Sequence, residues 1–219
     1  MPDNTSSSSM NTTDQSRDNT KRRVCQHCLK PEKACICRFF TDIDNEMPVV
    51  ILQHPTEVKQ SKASVPLLSG SLKHSTVIVG ENFDQSAQFN DILQTYGDKV
   101  RLLYPGESAT IIDENYRKHL DGEDLTEYCL VLLDGTWKKV YRMFMLSTCL
   151  RELSMVALPQ GFVSQYQIRK TRKDNAFSTL EACGYALSLL EGSSEKYQPL
   201  LASFADFNQF HQRFVPTHK

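Results

Sequence analysis

Short apolar runs alternate with longer amphipathic segments along this chain. Residues 128–133 are mostly apolar from end to end, and an amphipathic segment extends from Lys138 to Leu150. A continuous apolar run is typical of a strand covered on both faces, and apolar residues near helical spacing predict a helix. The same patterns predict strands at 48–52, 75–80, 100–104 and 153–158, and a helix within 82–96. Alternating strands and helices indicate an α/β fold with a mainly parallel sheet.

Two further helices are predicted near the carboxyl end. Ser178 and Glu181 have the spacing of a capping box, which satisfies free N–H groups at the start of a helix. The last segment, 200–214, places leucine and phenylalanine residues on one side of a helix. Such a stripe is more typical of core packing than of a platform for stacked bases.

The first 22 residues differ in composition from the rest of the chain. They are rich in Ser, Asn, Thr and Asp and contain no aromatic residue. Residues 1–22 are therefore predicted to be a disordered tail, because they cannot bury enough apolar surface to offset ordering. No signal peptide and no membrane-spanning stretch is recognised. We expect a cytoplasmic protein in which residues 46–216 form one domain.

The charge is nearly balanced overall and clustered locally. Of the 219 residues 23% are charged and the formal net charge is -1, which argues against a dedicated nucleic-acid coat protein. One basic region contains Arg22 and Arg23, and another contains Arg169, Lys170 and Arg172. Clustered cations bind phosphates through counterion release, and a solvated charged face has the same composition.

The amino-terminal part of the chain is rich in cysteine. Four of the seven cysteines lie within thirteen residues, at Cys25, Cys28, Cys35 and Cys37. Thiolates on two tight turns can close a tetrahedral zinc site, and a site closed by four thiolates is structural rather than catalytic. The spacing predicts a zinc-binding module at residues 23–40, with an iron site or reduced, unliganded thiols as the alternatives. The remaining cysteines fall in apolar segments and are interpreted as buried packing residues.

The turn after residues 128–133 reads Asp134-Gly135-Thr136-Trp137. Ligands in open α/β sheets bind beyond the carboxyl ends of the strands, so a functional site is expected at this turn. The turn also brings Asp134 beside the free N–H groups and the favourable dipole end of the next helix. The alternative is an ordinary cap, in which Asp134 closes the helix, Gly135 supplies the turn and Trp137 packs in the core.

Two other predicted strands end in loops that could belong to the same site. His54 and Glu57 follow the first strand, where they can orient a ligand or serve as a loop histidine and a helix cap. Pro105 and Gly106 follow the third strand. A glycine at that position allows close backbone approach to a ligand, and it is equally common in ordinary turns.

Taken together, these features resemble a known family. Asp134-x-Thr136-Trp137 resembles the signature of the DTW-domain proteins, a family of S-adenosylmethionine-dependent tRNA-uridine aminocarboxypropyltransferases. The resemblance covers roughly residues 24 to 214. The other motifs follow the cysteine cluster in the family's order, and they are His54-Pro55-x-Glu57, Leu103-Tyr104-Pro105-Gly106, Tyr166-x-Ile168-Arg169-Lys170 and Ser178-Thr179-Leu180-Glu181-Ala182.

The resemblance implies a fold and a reaction. It implies a SPOUT-like sheet with a carboxyl-terminal trefoil knot that cradles the cofactor. The implied reaction transfers the 3-amino-3-carboxypropyl group of S-adenosylmethionine to N3 of a tRNA uridine and releases 5′-methylthioadenosine. An unstacked loop uridine is the expected target, because N3 must be exposed. The resemblance implies the variable-loop position, which is typical of bacterial members of the family. The implied partners are tRNA and S-adenosylmethionine, with structural zinc, and neither a membrane nor an obligate protein partner is implied.

The resemblance also implies roles for individual residues. Asp134 is the candidate base for the N3 proton or a group that orients the uracil. Thr136 is a candidate hydrogen-bonding group for the uracil or the donor's carboxylate, and Trp137 a stacking or wall residue. The implied cofactor-binding residues are Leu132, Gly135, Pro105, Gly106, Leu158, Tyr166 and Arg169. The residues implied for substrate or tRNA are His54, Glu57, Lys170, Arg172, Arg22 and Arg23.

Two other function classes are compatible with the same sequence. A SPOUT-like fold also serves RNA methyltransferases, whose product would be S-adenosylhomocysteine rather than methylthioadenosine. A zinc- and RNA-binding module without activity is the second alternative. The small-molecule product therefore separates the three hypotheses.

Overall fold

A parallel sheet forms the centre of the computed structural model, which describes residues 23–28, 30–60, 63–161 and 177–213. The sheet has six strands in the order β2-β1-β5-β3-β6-β4, and every neighbouring pair is parallel. Their bounds are Val49–Gln53 (β1), Ser75–Val79 (β2), Val100–Leu103 (β3), Thr110–Ile111 (β4), Cys129–Asp134 (β5) and Ser154–Ala157 (β6). The predicted α/β fold with a mainly parallel sheet is confirmed.

β5 is buried along its whole length, as its apolar sequence predicts. All six of its residues are buried, and it lies between β1, which is buried throughout, and β3. Parallel strands that are covered on both faces need apolar side chains in both directions, which is why β5 and β1 show no alternation. The two-residue edge strand β4 was not predicted, because both of its residues are exposed and the run is too short to show a pattern.

Seven α-helices accompany the sheet in the described parts of the chain. Their bounds are Val65–Ser71 (α1), Ala87–Tyr96 (α2), Glu114–Leu120 (α3), Trp137–Leu146 (α4), Thr148–Arg151 (α5), Thr179–Leu190 (α6) and Ser194–Gln212 (α7). The capping box predicted at Ser178 and Glu181 is present at the start of α6. Among the described residues, no helix combines the length and the apolar character needed to cross a membrane.

The helix predicted from Lys138 to Leu150 is interrupted at Ser147. The hydroxyl of this fully buried serine accepts a hydrogen bond from the backbone N–H of Phe83 at 3.1 Å. The contact comes from a loop 64 residues away in sequence, and local periodicity could not reveal it. The segment therefore forms α4 and the short α5 instead of one helix.

The chain divides into two compact units, residues 1–35 and 36–219. In the first unit, Val24 and Pro31 form an antiparallel bridge, and a 3₁₀ helix spans Glu32–Ala34. In the second, α7 carries the predicted aromatic stripe, and its Phe204 and Phe207 are buried. This burial agrees with the core-packing interpretation of the last helix.

Of the three cysteines outside the amino-terminal cluster, Cys129 and Cys183 are buried as predicted, whereas Cys149 is half-buried. Burial raises the pKa of the Cys129 thiol to about 12, and burial together with the neighbouring Asp84 raises the pKa of Cys149 to about 12. Burial raises the pKa of Cys183 as well. The reactive thiolate is therefore scarce at all three positions near neutral pH.

These three thiols are expected to resist alkylation in the native protein. With a pKa of about 12, only about one thiol in 10⁴ is ionised at about pH 8. Iodoacetamide treatment followed by peptide mass spectrometry should find Cys129, Cys149 and Cys183 unmodified until the chain is unfolded. Native labelling of any of them at the rate of an exposed thiol would contradict this burial.

Candidate functional site

A cavity of about 290 Å³ lies at the carboxyl ends of β3, β5 and β6. Ligand pockets usually measure about 300–1,000 Å³, so this cavity is at the small end of that range. Its wall combines the strand ends with the first residues of α4 and α6. The predicted site residues that line it are Pro105, Leu132, Gly135, Trp137 and Leu158. Residues distant in sequence thus meet at the edge of the sheet where α/β proteins bind ligands.

The start of α6 forms the polar side of this cavity. Ser178 and Thr179 both line it, next to the apolar Phe177 and Ala182. The amino-terminal end of a twelve-residue helix carries a partial positive charge and favours anionic groups. The capping-box carboxylate of Glu181 accepts hydrogen bonds from the Ser178 N–H and hydroxyl, at 2.9 and 3.0 Å, and holds this end rigid.

Asp134, the last residue of β5, accepts hydrogen bonds through both carboxylate oxygens. Oδ1 accepts a hydrogen bond from the Thr179 hydroxyl at 2.6 Å, and Oδ2 accepts one from the Gln53 side-chain amide at 2.9 Å. The residue is only 9% exposed. Asp134 therefore joins the ends of β1 and β5 to the start of α6, directly behind a residue that lines the cavity. The sequence predicted neither partner, although Gln53 is the one polar residue of an otherwise apolar strand.

The turn after β5 does not have the structure of an ordinary cap. Thr136, not Asp134, occupies the N-cap position of α4, and its side chain makes no capping bond. Trp137 is 49% exposed, so it is not a core residue. A methyl group on Gly135 would lie 3.2 Å from Cβ of Lys139, a close contact that disfavours any larger residue in this turn. The cap interpretation of this tetrapeptide is wrong.

His54 belongs to a hydrogen-bonded chain that links two loops to α4. Its Nδ1 accepts a hydrogen bond from the backbone N–H of Thr56 at 3.2 Å. The other ring nitrogen, Nε2, therefore carries a hydrogen and donates to Oε1 of Glu81 at 3.2 Å. The same Glu81 oxygen pairs with Nε of Arg142 at 2.7 Å. The bond to His54, and then the charge of Arg142, hold the pKa of the Glu81 carboxyl below its usual value.

Glu57, the second residue predicted after β1, is paired with α4. Its carboxylate is 10% exposed and accepts a hydrogen bond from Lys139 Nζ at 2.7 Å. The charge of Glu57 is therefore compensated by the protein. Together with the His54 chain, this ion pair fixes the loop after β1 against the helix that begins at the DTW tetrapeptide.

The four amino-terminal cysteines form a candidate metal centre. The sulfur atoms of Cys25, Cys28, Cys35 and Cys37 all lie within 4.8 Å of one another, and those of Cys28 and Cys35 are 3.8 Å apart. Tetrahedral zinc binds thiolates at about 2.3 Å, which places the ligand sulfurs about 3.8 Å apart. The cluster therefore has the donor set and the dimensions of a closed four-thiolate zinc site, and an iron site has the same donors.

Comparison with known proteins gives the family. The model of the DTW domain family matches residues 22–212. The chain belongs to the DTW domain family. It is 29% identical over 185 residues to tRNA-uridine aminocarboxypropyltransferase 2 of Mus musculus, covering 83% of this chain and 61% of the mouse protein. The protein of the same name from Drosophila melanogaster is 30% identical over 186 residues, covering 83% of this chain and 72% of the relative.

The match to mammalian relatives is partial in length. The Macaca fascicularis protein, also named tRNA-uridine aminocarboxypropyltransferase 2, is 28% identical over 187 residues, which is again 61% of its length. This chain thus spans less than two thirds of the mouse and macaque proteins. No solved structure matches the chain.

The DTW family residues predicted for the site fall into four groups. One group lines the cavity, and a second, Asp134, His54 and Glu57, lies at neighbouring strand ends. Gly106, Thr136 and Arg23 are exposed and do not line it. The last group lies outside the described residues, and its members are Tyr166, Arg169, Lys170, Arg172 and Arg22.

The partly buried ion pair of Lys139 and Glu57 allows a stability prediction. Replacing Lys139 with alanine leaves the nearly buried Glu57 carboxylate without its partner, which is expected to cost about 3 kcal/mol. Lys138→Ala is the matched control, since this exposed neighbour should change the free energy of unfolding by less than about 0.5 kcal/mol. Urea unfolding measures both. Equal small effects for the two variants would mean that the ion pair of Glu57 and Lys139 does not contribute to the free energy of unfolding.

Proposed function

We propose that this DTW-domain chain transfers the 3-amino-3-carboxypropyl group of S-adenosylmethionine to N3 of a tRNA uridine. The observation that carries the proposal is the cavity at the DTW tetrapeptide, in a chain whose relatives are named tRNA-uridine aminocarboxypropyltransferases. The donor carries an adenosine, a sulfonium cation and an amino-acid end. The cavity offers groups suited to each of them.

The lining residues favour this donor chemically. Apolar side chains such as Leu132, Leu158 and Val140 suit the adenosine. The aromatic rings of Trp137 and Tyr104 suit a sulfonium, because ring faces attract cations. The amino-terminal end of α6 suits a carboxylate. A methylated base or a plain nucleotide would not use all three features at once.

The reaction needs little acid catalysis and much positioning. Bound S-adenosylmethionine supplies an activated carbon and a neutral thioether leaving group. The uridine N3 forms the new bond to that carbon as the carbon–sulfur bond breaks, and the N3 proton goes to a base. Asp134 is the proposed acceptor, through a carboxylate lone pair that Gln53 and Thr179 do not use. Thr179 then holds that carboxylate in a fixed orientation beside the cavity.

We propose that tRNA contacts the two basic regions of the sequence, with a variable-loop uridine as the target. Arg22 and Arg23 at the cysteine cluster, and the segment containing Arg169, Lys170 and Arg172, suit phosphates. Zinc bound by the four cysteines would then stabilise the module at residues 23–40 and take no part in the transfer. We propose that Tyr166 belongs to the cofactor pocket, because the family resemblance implies this role.

We also propose the SPOUT-like arrangement with a trefoil knot at the carboxyl end. Its support is the family resemblance and the parallel sheet, in which β6 lies between β3 and β4. An experimental structure with S-adenosylmethionine bound tests this, and an unknotted carboxyl-terminal chain would overturn it.

The reaction is tested by incubating the purified protein with S-adenosylmethionine and unmodified tRNA. Mass spectrometry of nucleosides and small molecules should find aminocarboxypropyl-uridine together with methylthioadenosine. A methylated nucleoside with S-adenosylhomocysteine would move the protein to the methyltransferases. No product, with tRNA still bound, would favour a binding module. Fragment sequencing of the product then maps the uridine.

A further inference from the structure

The outer face of α4 carries exposed aromatic and cationic side chains, of which the proposed reaction uses only Trp137. Trp137 and Tyr141 lie one helical turn apart and are 49% and 58% exposed. Lys138 is exposed beside them and forms no hydrogen bond or ion pair among the described residues. This face, defined as Trp137, Lys138 and Tyr141, combines two rings with a positive charge.

All the charged residues of α4 are cations. α4 contains three cations and no acidic residue. Lys139 and Arg142 are neutralised by Glu57 and Glu81 from the loops after β1 and β2. Lys138 therefore supplies the uncompensated positive charge. Exposed rings interleaved with cations are the surface on which single-stranded nucleic acids stack their bases and seat their phosphates.

The same face is continuous with the cavity. Trp137 both lines the cavity and is exposed, so it stands at the mouth. Tyr104, which also lines the cavity, stacks on Phe144 of α4 with ring centroids 4.5 Å apart. Burial, and then the nearby Tyr141 hydroxyl, raise the pKa of Tyr104. Tyr141 therefore lies near Tyr104 in the cavity wall.

We propose that this face binds the RNA nucleotide next to the uridine that enters the cavity, with its base stacked on Tyr141 and its phosphate near Lys138. The proposal rests on the proposed function, because it assigns substrate contacts at the same site. Residues four apart on a helix are separated by about 6 Å along its axis. Stacked nucleotides rise by about 3.4 Å, so a base at Tyr141 and one at Trp137 must be unstacked from each other. That is the state in which N3 of a loop uridine can be reached.

Three variants of α4 test the proposal by their affinity for fluorescently labelled, unmodified tRNA. Tyr141→Ala in the full chain should lower the affinity by about 5- to 150-fold, the usual effect of removing a stacking ring. Tyr141→Phe keeps the ring and should stay within about two-fold of the unchanged protein. Met145→Ala is the matched control, because Met145 is 45% exposed one turn further along the helix and has no ring.

Lys138 is tested by salt dependence. Lys138→Ala should lower tRNA affinity for all sequences and reduce the slope of log affinity against log salt by about one. An unchanged slope would overturn the assignment of Lys138 to a phosphate. Measuring S-adenosylmethionine binding by calorimetry in each variant shows that the cavity itself is intact.

The outcomes separate this proposal from the proposed function. Tyr141-dependent tRNA binding without any modified product would overturn the transferase reaction and support the stacking face. Normal tRNA affinity of Tyr141→Ala, with product still formed, would overturn the stacking face and leave the reaction standing. If Tyr141→Ala and Met145→Ala both turn a dimer into a monomer in sedimentation velocity, the face is a self-association surface and the proposal is wrong.

Discussion

Replacing Asp134 with alanine is expected to slow aminocarboxypropyl transfer by about 10²- to 10⁴-fold, the range found when a general acid or base is removed. The carboxylate is the proposed acceptor of the N3 proton and also the link between β1, β5 and α6. Single-turnover rates at saturating S-adenosylmethionine measure the loss. Binding of tRNA should largely survive, because the carboxylate is buried and the proposed tRNA contacts lie elsewhere.

Asp134→Asn separates the two roles of this residue. Its amide oxygen can still accept a hydrogen bond from Gln53, and its NH₂ can donate to the Thr179 hydroxyl oxygen, so the geometry is kept. It cannot take a proton from N3. If the asparagine variant is as slow as alanine, Asp134 is the base; if it stays largely active, Asp134 orients its neighbours. A fully active alanine variant would remove Asp134 from the mechanism.

Gln53→Leu is the control for loss of structure at the same place. It removes one hydrogen bond to Asp134 and leaves the other, from Thr179, intact. Loss of a buried hydrogen-bonding partner costs about 1–3 kcal/mol, so urea unfolding should show this destabilisation. Its transfer rate should nevertheless exceed that of Asp134→Ala. Equal rates would mean that Asp134 acts only through the position of the strand end.

The sheet and the place of the site could be predicted, because both depend on local sequence. A parallel strand buried on both faces leaves a continuous apolar run, as in β5 and β1. The rule that ligands bind at carboxyl strand ends then points to the turn after β5. Family resemblance added Pro105, Leu132 and Leu158, which the structure brings to one cavity.

The partners inside the site could not be predicted, because they depend on tertiary contacts. Gln53 and Thr179 lie 81 and 45 residues from Asp134 in sequence, and no local pattern joins them. The environment of Trp137 could not be predicted either. A lone tryptophan at the start of an amphipathic helix fits a core residue and a cavity mouth equally well, and only its exposure distinguishes them.

Replacing Cys25 and Cys28 with serine is expected to abolish zinc binding at the cysteine cluster. Two of four thiolates would be lost from a site whose sulfurs lie within 4.8 Å of one another. Structural zinc contributes about 10–16 kcal/mol of apparent binding free energy in small zinc-dependent folds, so its loss should remove the order around the cluster and lower solubility or tRNA affinity. Elemental analysis of the purified protein measures the metal, which should be about one zinc per chain before substitution and near none after.

Cys149→Ser is the matched control for this variant. Cys149 is also half-buried but lies outside the cluster, so its replacement should leave the zinc content unchanged. Native alkylation gives an independent readout, since bound thiolates are protected and released ones are not. The unchanged protein should therefore expose the four cluster thiols to iodoacetamide only after a chelator removes the metal. Purification without stoichiometric metal, or with iron in its place, would show that the zinc assignment is wrong.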